Sequence, residues 1–206
     1  MRPSIFSLQK IQRLHAGNRF YQANCYLVKL ENGALGVLKD FFHNKTSFMR
    51  LVAGFLARRE KHAYIRIGEM AGIPSFWGTP SDYSILLEYI DAPTLRQAKE
   101  EPPQSYFNAL EELIKHMHHR GIAHGEIRMS NLLITADQAP YLIDLTTASA
   151  TDSTRPGRLF RLKQEIDWYC FLKIKKRMLG SLSFQESHKL ARLKRLGSCI
   201  QPHVEY

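Results

Sequence analysis

Four polar residues stand in stretches that otherwise favour burial or tight turning. Lys39 ends the run Leu35-Gly36-Val37-Leu38-Lys39. Glu126 and Asn131 lie five residues apart in a polar stretch, and Asp144 closes the apolar run Tyr141-Leu142-Ile143 thirteen residues after Asn131. Together they are the parts that phosphoryl transfer uses. A lysine neutralises nucleotide phosphates. An Asn and an Asp offer oxygen ligands to magnesium, a hard cation. A carboxylate beside the acceptor hydroxyl orients it and takes its proton. Each residue also has a plainer reading: Lys39 as a lysine whose stem lies along apolar surface, Asn131 and Asp144 as turn residues, Glu126 as a loop carboxylate.

The elements that must position these residues follow from periodicity. Tyr26 to Leu30 and Leu35 to Phe41 read as strands joined at Asn32-Gly33, two residues that accept positive φ, which predicts an antiparallel hairpin. From about Thr46 to Met70 the pattern is helical, with Leu51, Phe55 and Leu56, then Ala63 and Ile67, marking the apolar side. Gly54 marks a break into two helices, and Gly72 and Pro74 end the stretch. Ser84 to Ile90 is a strand, and Thr94 follows as the N-cap of a short helix. Ser105 to Arg120 is an amphipathic helix with Phe107, Leu110, Ile114 and Met117 on one stripe and Gly121 at its C-cap. Leu132 to Thr135 and Tyr141 to Asp144 are short strands joined at Ala136-Asp137-Gln138; after a loop from Thr151 to Gly157 come basic helices. This order predicts an α+β chain with segregated layers. Residues 1–90 form a lobe of sheet plus helix, and residues 91–206 a mainly helical lobe.

On these residues the chain resembles the protein-kinase-like superfamily. His124-Gly125-Glu126-Ile127-Arg128-Met129-Ser130-Asn131 is similar to the catalytic loop H-x-D-x-x-x-x-N, and Asp144-Leu145-Thr146 to the metal-binding D-F-G segment. Val37-Leu38-Lys39 is similar to the strand carrying the phosphate lysine, and Glu60 falls where the family places that lysine's carboxylate partner. Leu87-Glu88-Tyr89-Ile90 resembles the hinge that receives adenine. Within the superfamily, the strings Val37 to Phe41, Leu56 to Glu60, Tyr141 to Leu145 and Asp167 to Lys173 resemble compact bacterial members, the kinases of lipopolysaccharide core sugars and small serine/threonine kinases. The resemblance spans roughly residues 20–178. It implies a two-lobe fold, a small antiparallel sheet lobe plus a mainly helical lobe, that uses ATP and Mg2+ in one cleft. It assigns Glu126 and Arg128 to catalysis, Lys39, Glu60, Glu88, Ile90 and Gly17 to the nucleotide, and Asn131 and Asp144 to the metal.

Two departures from that pattern bear on activity. The catalytic carboxylate is Glu126, one methylene longer than Asp, and a shift of about 1 Å can cost about a hundredfold in rate. The glycine-rich phosphate loop is reduced to His15-Ala16-Gly17-Asn18-Arg19-Phe20-Tyr21, where only Gly17 remains to let backbone amides approach phosphate and Arg19 offers charge instead. Arg128 stands where protein kinases carry a Lys; it could contact the transferred phosphoryl group or brace the loop.

Composition sets the outer limits. The 206 residues are 44% apolar, enough for a core, with no apolar run near the ~20 residues of a spanning helix. The N-terminus has no apolar stretch of a secretory signal, and Cys25, Cys170 and Cys199 form no disulfide framework, so a cytoplasmic protein is expected; the resemblance to core-sugar kinases implies a place at the periphery of the inner membrane as a further option. The formal charge is +10 and uneven: residues 1–154 carry 17 Lys/Arg against 15 Asp/Glu, residues 155–206 carry 12 against 4. The basic segment 155–196 could meet an anionic membrane surface, or be a solvated face. It lacks an aromatic–basic interleave, which argues against nucleic acid. His116, His118 and His119 crowd a helix end where imidazoles can satisfy terminal carbonyls, and their spacing does not put three on one face for zinc; His124 is expected to pack beneath the metal loop. The leading expectation is a kinase acting on a hydroxyl of a core sugar or a protein. A pseudokinase that binds nucleotide or a partner without turnover is the alternative.

Overall fold

Alternating strands in the N-terminal part pair into an antiparallel sheet, and the amphipathic segments beyond them pack as helices. The computed structural model describes residues 8–17, 22–42, 47–151 and 156–197, and the chain divides into two units, residues 1–91 and 92–206.

In the first unit, β1 (Leu8–His15), β2 (Asn24–Leu30), β3 (Leu35–Asp40), β4 (Phe76–Ser81) and β5 (Ser84–Glu88) form one sheet in the order β1-β2-β3-β5-β4. The β2–β3 hairpin turns through Glu31–Ala34. Only Gly33 takes positive φ there (+83°); Asn32 instead accepts the Ala34 N–H on its side chain at 3.0 Å, so the expected pair of left-handed residues reduces to one. Both edge strands escaped the sequence pattern. β1 is exposed at seven of its eight residues, so burial imposes no apolar alternation on it, and β4 contains Gly78 and Pro80.

Helix α1 (Ser47–Ile67) is continuous, and Gly54 does not break it. The face that meets the sheet carries Ala53, Leu56, Ala57, Ala63, Tyr64 and Ile67. Leu51 and Phe55, read above as part of the apolar side, point to solvent. Two apolar stripes compete on this helix, and the one rich in alanine lets the backbone lie close to the sheet. One core cluster joins α1 to Ala23 and Phe41, and another of Val28, Leu30, Leu38 and Leu86 holds β2, β3 and β5 together.

In the second unit, α2 (Gln104–His119) buries Tyr106, Phe107, Leu110, Leu113, Ile114 and Met117, each worth about 1.5–3 kcal/mol of transfer free energy. Thr94 caps no helix: it pairs with Leu133 and opens a turn in which the Gln97 and Ala98 amides donate to its carbonyl. Two short antiparallel pairs follow. β6 (Ile122–Ala123) pairs with β9 (Ser149–Ala150), and β7 (Leu132–Ile134) with β8 (Pro140–Leu142). Helices α3 (Arg158–Leu179) and α4 (Phe184–Gly197) complete the unit.

Candidate active site

Lys39 sits within β3, in register with Cys25 of β2 and Ile85 of β5, so it belongs to the centre of the sheet. Strand alternation sends it to the side that Phe41 also faces, toward α1. Helical spacing puts Glu60 one turn beyond Leu56 and Ala57 on the buried side of α1. Lys39 Nζ donates to Glu60 Oε1 at 2.7 Å, with side-chain exposures of 8% and 0%. Such a pair is expensive to bury, and replacing it with packed apolar groups often costs nothing in stability. A buried pair of this kind is therefore a candidate for chemistry rather than a source of fold stability.

The other nucleotide candidates in this unit are engaged by their own neighbours. The Gly17 N–H donates to Asn24 Oδ1 at 3.0 Å. Asn18 to Tyr21, with Arg19, lie outside the described residues. Glu88 Oε2 accepts both the N–H (3.0 Å) and the hydroxyl (2.9 Å) of Ser75, so its carboxylate anchors the start of β4. The Glu88 amide donates to Ser75 O and the Tyr89 amide to Leu35 O, while Ile90, two residues past β5, is half-buried.

In the second unit the loop between β6 and β7 is held from beneath by Asp167 of α3. Asp167 is sealed from solvent. Its Oδ2 accepts the His124 N–H at 2.8 Å and contacts His118 Nε2 at 2.8 Å, and its Oδ1 accepts the Gly125 N–H at 2.7 Å. His118 thus reaches a carboxylate rather than capping helix carbonyls; the Arg120 and Gly121 amides already serve His116 O and His118 O. Gly125 has φ +78°, and a Cβ there would lie 3.3 Å from Thr147 O and 3.2 Å from Lys163 Cδ, so the position needs glycine. His124 is fully buried; its Nε2 donates to Ile143 O at 3.1 Å, and its Nδ1 accepts the Glu126 N–H at 3.2 Å.

These bonds fix the polar residues above the loop. Asn131 Nδ2 donates to Glu126 O at 3.0 Å, which sets the amide plane. Asn131 O accepts the Ile143 N–H at 2.9 Å, so Asn131 and Asp144 flank the same end of the β7–β8 hairpin. Asp144 holds φ +70°, a conformation that costs most residues but that Asp tolerates. Its Oδ1 accepts the Thr146 N–H at 3.3 Å and the Thr146 hydroxyl at 2.5 Å, which stabilises the turn into the 3-10 segment Leu145–Thr147. Glu126 Oε1 lies 3.1 Å from Arg128 Nη1, with side chains 34% and 49% exposed.

Asn131 and Asp144 are hard-oxygen donors, and no group of three or more His, Cys, Asp or Glu gathers as a metal cage among the described residues. Magnesium characteristically takes one or two protein oxygens together with substrate phosphate oxygens, so this donor chemistry fits it.

Asp167, His118 and Lys163 were not singled out from sequence as site residues. Lys163 Nζ donates to Thr147 O at 2.5 Å and so braces the same loop. The usable signal for Asp167 was an acid three and four residues before Cys170 and Phe171, on the buried stripe of a basic helix. The basic segment is not one solvated face either. Lys175 is buried against Glu186 at 2.6 Å, and Lys189 lies 3.8 Å from the centroid of the Trp168 ring, where burial lowers its pKa.

The RIO domain matches the chain over residues 35–192. None of the curated proteins matches it. Among solved structures it is similar to the crystal structure of the Rio2 kinase-ADP/Mg2+-phosphoaspartate complex from Chaetomium thermophilum. The TM-score is 0.68 at 18% identity, covering 95% of this chain and 66% of that one. The fold is protein-kinase-like.

Proposed function

Because this chain belongs to the RIO domain family, we propose that it is an ATP- and magnesium-dependent phosphotransferase with a hydroxyl acceptor. The observation that carries the reading is the loop geometry of the second unit, in which Asp167 fixes the backbone and Asn131 is tied by main-chain and side-chain bonds to both Glu126 and Ile143. Lys39, oriented by Glu60, neutralises the phosphates of ATP. Asn131 and Asp144 would hold magnesium, which would screen charge on the transferring group. Glu126 takes the acceptor proton as the hydroxyl oxygen bonds to the γ-phosphorus and ADP leaves. Arg128, two residues on, stabilises charge on the transferred group. The kinase resemblance assigns Glu88 and Ile90 to the adenine and Gly17 to the phosphates, with the Glu88 and Gly17 amides already donating to Ser75 O and Asn24 Oδ1.

The acceptor is a protein side chain or a sugar hydroxyl of a lipopolysaccharide core. The family favours the protein; the sequence strings that resemble core-sugar kinases favour the sugar, which would put the reaction on the cytoplasmic face of the inner membrane. One specific observation supports a second reading, a pseudokinase: the longer carboxylate of Glu126 is paired with Arg128.

Purified chain incubated with γ-labelled ATP tests this. Label should appear on the chain, on a protein acceptor or on a core acceptor only with magnesium present. Hydroxylamine treatment separates an acyl phosphate from a phosphoester. Magnesium-dependent ATP binding with no transfer to any acceptor would leave the pseudokinase reading, and no nucleotide binding would end the phosphotransferase and leave only a partner-binding pseudokinase.

A further inference from the structure

The outward face of α1 is apolar at its start and cationic further on. Phe48, Leu51 and Phe55 are 67%, 70% and 62% exposed, and Ile65 follows on the same side. At 1.5 Å per residue the stripe from Phe48 to Ile65 runs for roughly 25 Å. Isolated exposed apolar residues are ordinary, but three large ones within eight positions on one stripe form a patch. Arg50, Arg58, His62 and Arg66 are exposed on this helix, with Arg59 and Lys61 half-buried. The only acid on α1 is Glu60, and it is buried against Lys39. The nearest acid by connectivity is Glu69, exposed two residues past the end of the helix, so the acid-free stretch is the helix itself. A depression of about 430 Å³ opens on the cationic half, lined by Phe55, Arg58, Arg59 and His62.

We infer that α1 is a peripheral membrane-docking element that lies on an anionic bilayer. Phe48, Leu51 and Phe55 enter the boundary between headgroups and acyl chains, and the arginines and His62 meet lipid phosphate. Large apolar side chains standing out from a helix, next to cations with no exposed acid on that helix, form the pattern of an interfacial helix. The charge complement is an anionic surface. An acidic protein groove would be a different partner, and the projecting aromatic side chains suit a deformable lipid phase better. This locates membrane contact on α1 rather than on residues 155–196, where Lys163, Lys175 and Lys189 turn inward. The inference does not depend on phosphotransfer.

The test is co-sedimentation of the full chain with phosphatidylcholine vesicles, with or without phosphatidylserine. Binding should require phosphatidylserine and weaken with added salt. The combined variant Phe48→Ser, Leu51→Ser, Phe55→Ser should lose at least tenfold in vesicle affinity while keeping the parent's circular dichroism and melting temperature. Arg58→Glu with Arg66→Glu should lose a similar amount. Lys176→Glu with Arg177→Glu, on exposed positions of α3, should stay within twofold of the parent. The inference is overturned if the parent ignores anionic vesicles, if the apolar variant binds like the parent, or if only the α3 variant loses binding.

Discussion

Lys39 Nζ and Glu60 Oε1 lie 2.7 Å apart with both side chains all but closed to solvent. Lys39→Ala takes the ammonium away from a buried carboxylate and should cost about 3–5 kcal/mol of stability. Replacing both, as Lys39→Met with Glu60→Leu, should recover most of that loss while ATP affinity stays weak. Denaturant unfolding together with calorimetric ATP titration reads the two effects separately. A double variant that binds ATP as the parent does would remove the pair from the nucleotide site.

Asp167 makes three polar contacts that a neutral amide cannot reproduce, because the nitrogen of Asn donates and cannot accept. Asp167→Asn should lose at least one bond to a charged acceptor, worth about 1.5–3 kcal/mol. The loop it holds carries Glu126, so kcat should fall while KM for ATP stays close to the parent's. A fall in stability with kcat unchanged would make Asp167 a fold residue alone.

The second unit should also report its packing through pH. Burial, helped by the Asp167 charge, pushes the Cys170 thiol up to about 12 from an ordinary 9.0. The folded state therefore keeps the proton longer than the unfolded chain does. Stability from this group is complete below pH 9.0, falls as pH rises above it, and is gone once pH passes about 12. Cys170→Ala should flatten that alkaline decline, measured as denaturation midpoint against pH. In the native parent, Cys170 should resist alkylation at neutral pH.

The protein-kinase-like fold was legible because its motifs are local strings. Lys39, Glu126, Asn131 and Asp144 each sit in a short string whose order and spacing carry meaning, and α2 declares itself by one clean apolar stripe. What was not legible depends on distant partners or on weak selection by burial. Asp167 acts on His124 and Gly125 from more than forty residues away, so no window of sequence contains the relationship. β1 is an exposed edge and β4 carries Gly78 and Pro80, so neither shows the alternation of a buried strand. On α1 the large residues Leu51 and Phe55 outweigh alanines in any hydropathy reading, but close packing on a sheet favours the alanines.

Glu126 decides whether the loop works as an enzyme. Its carboxylate is one methylene longer than the Asp of the resembled motif and lies 3.1 Å from Arg128. The direct measurement is single-turnover transfer from γ-labelled ATP, with magnesium, by the parent, Glu126→Gln and Glu126→Asp. General-base removal is worth about a hundredfold or more, so Glu126→Gln should transfer at least about a hundredfold more slowly, with ATP affinity unchanged. Glu126→Asp should match or exceed the parent. Transfer by Glu126→Gln at the parent's rate, or none by the parent, would contradict a phosphotransferase that uses Glu126 as its base.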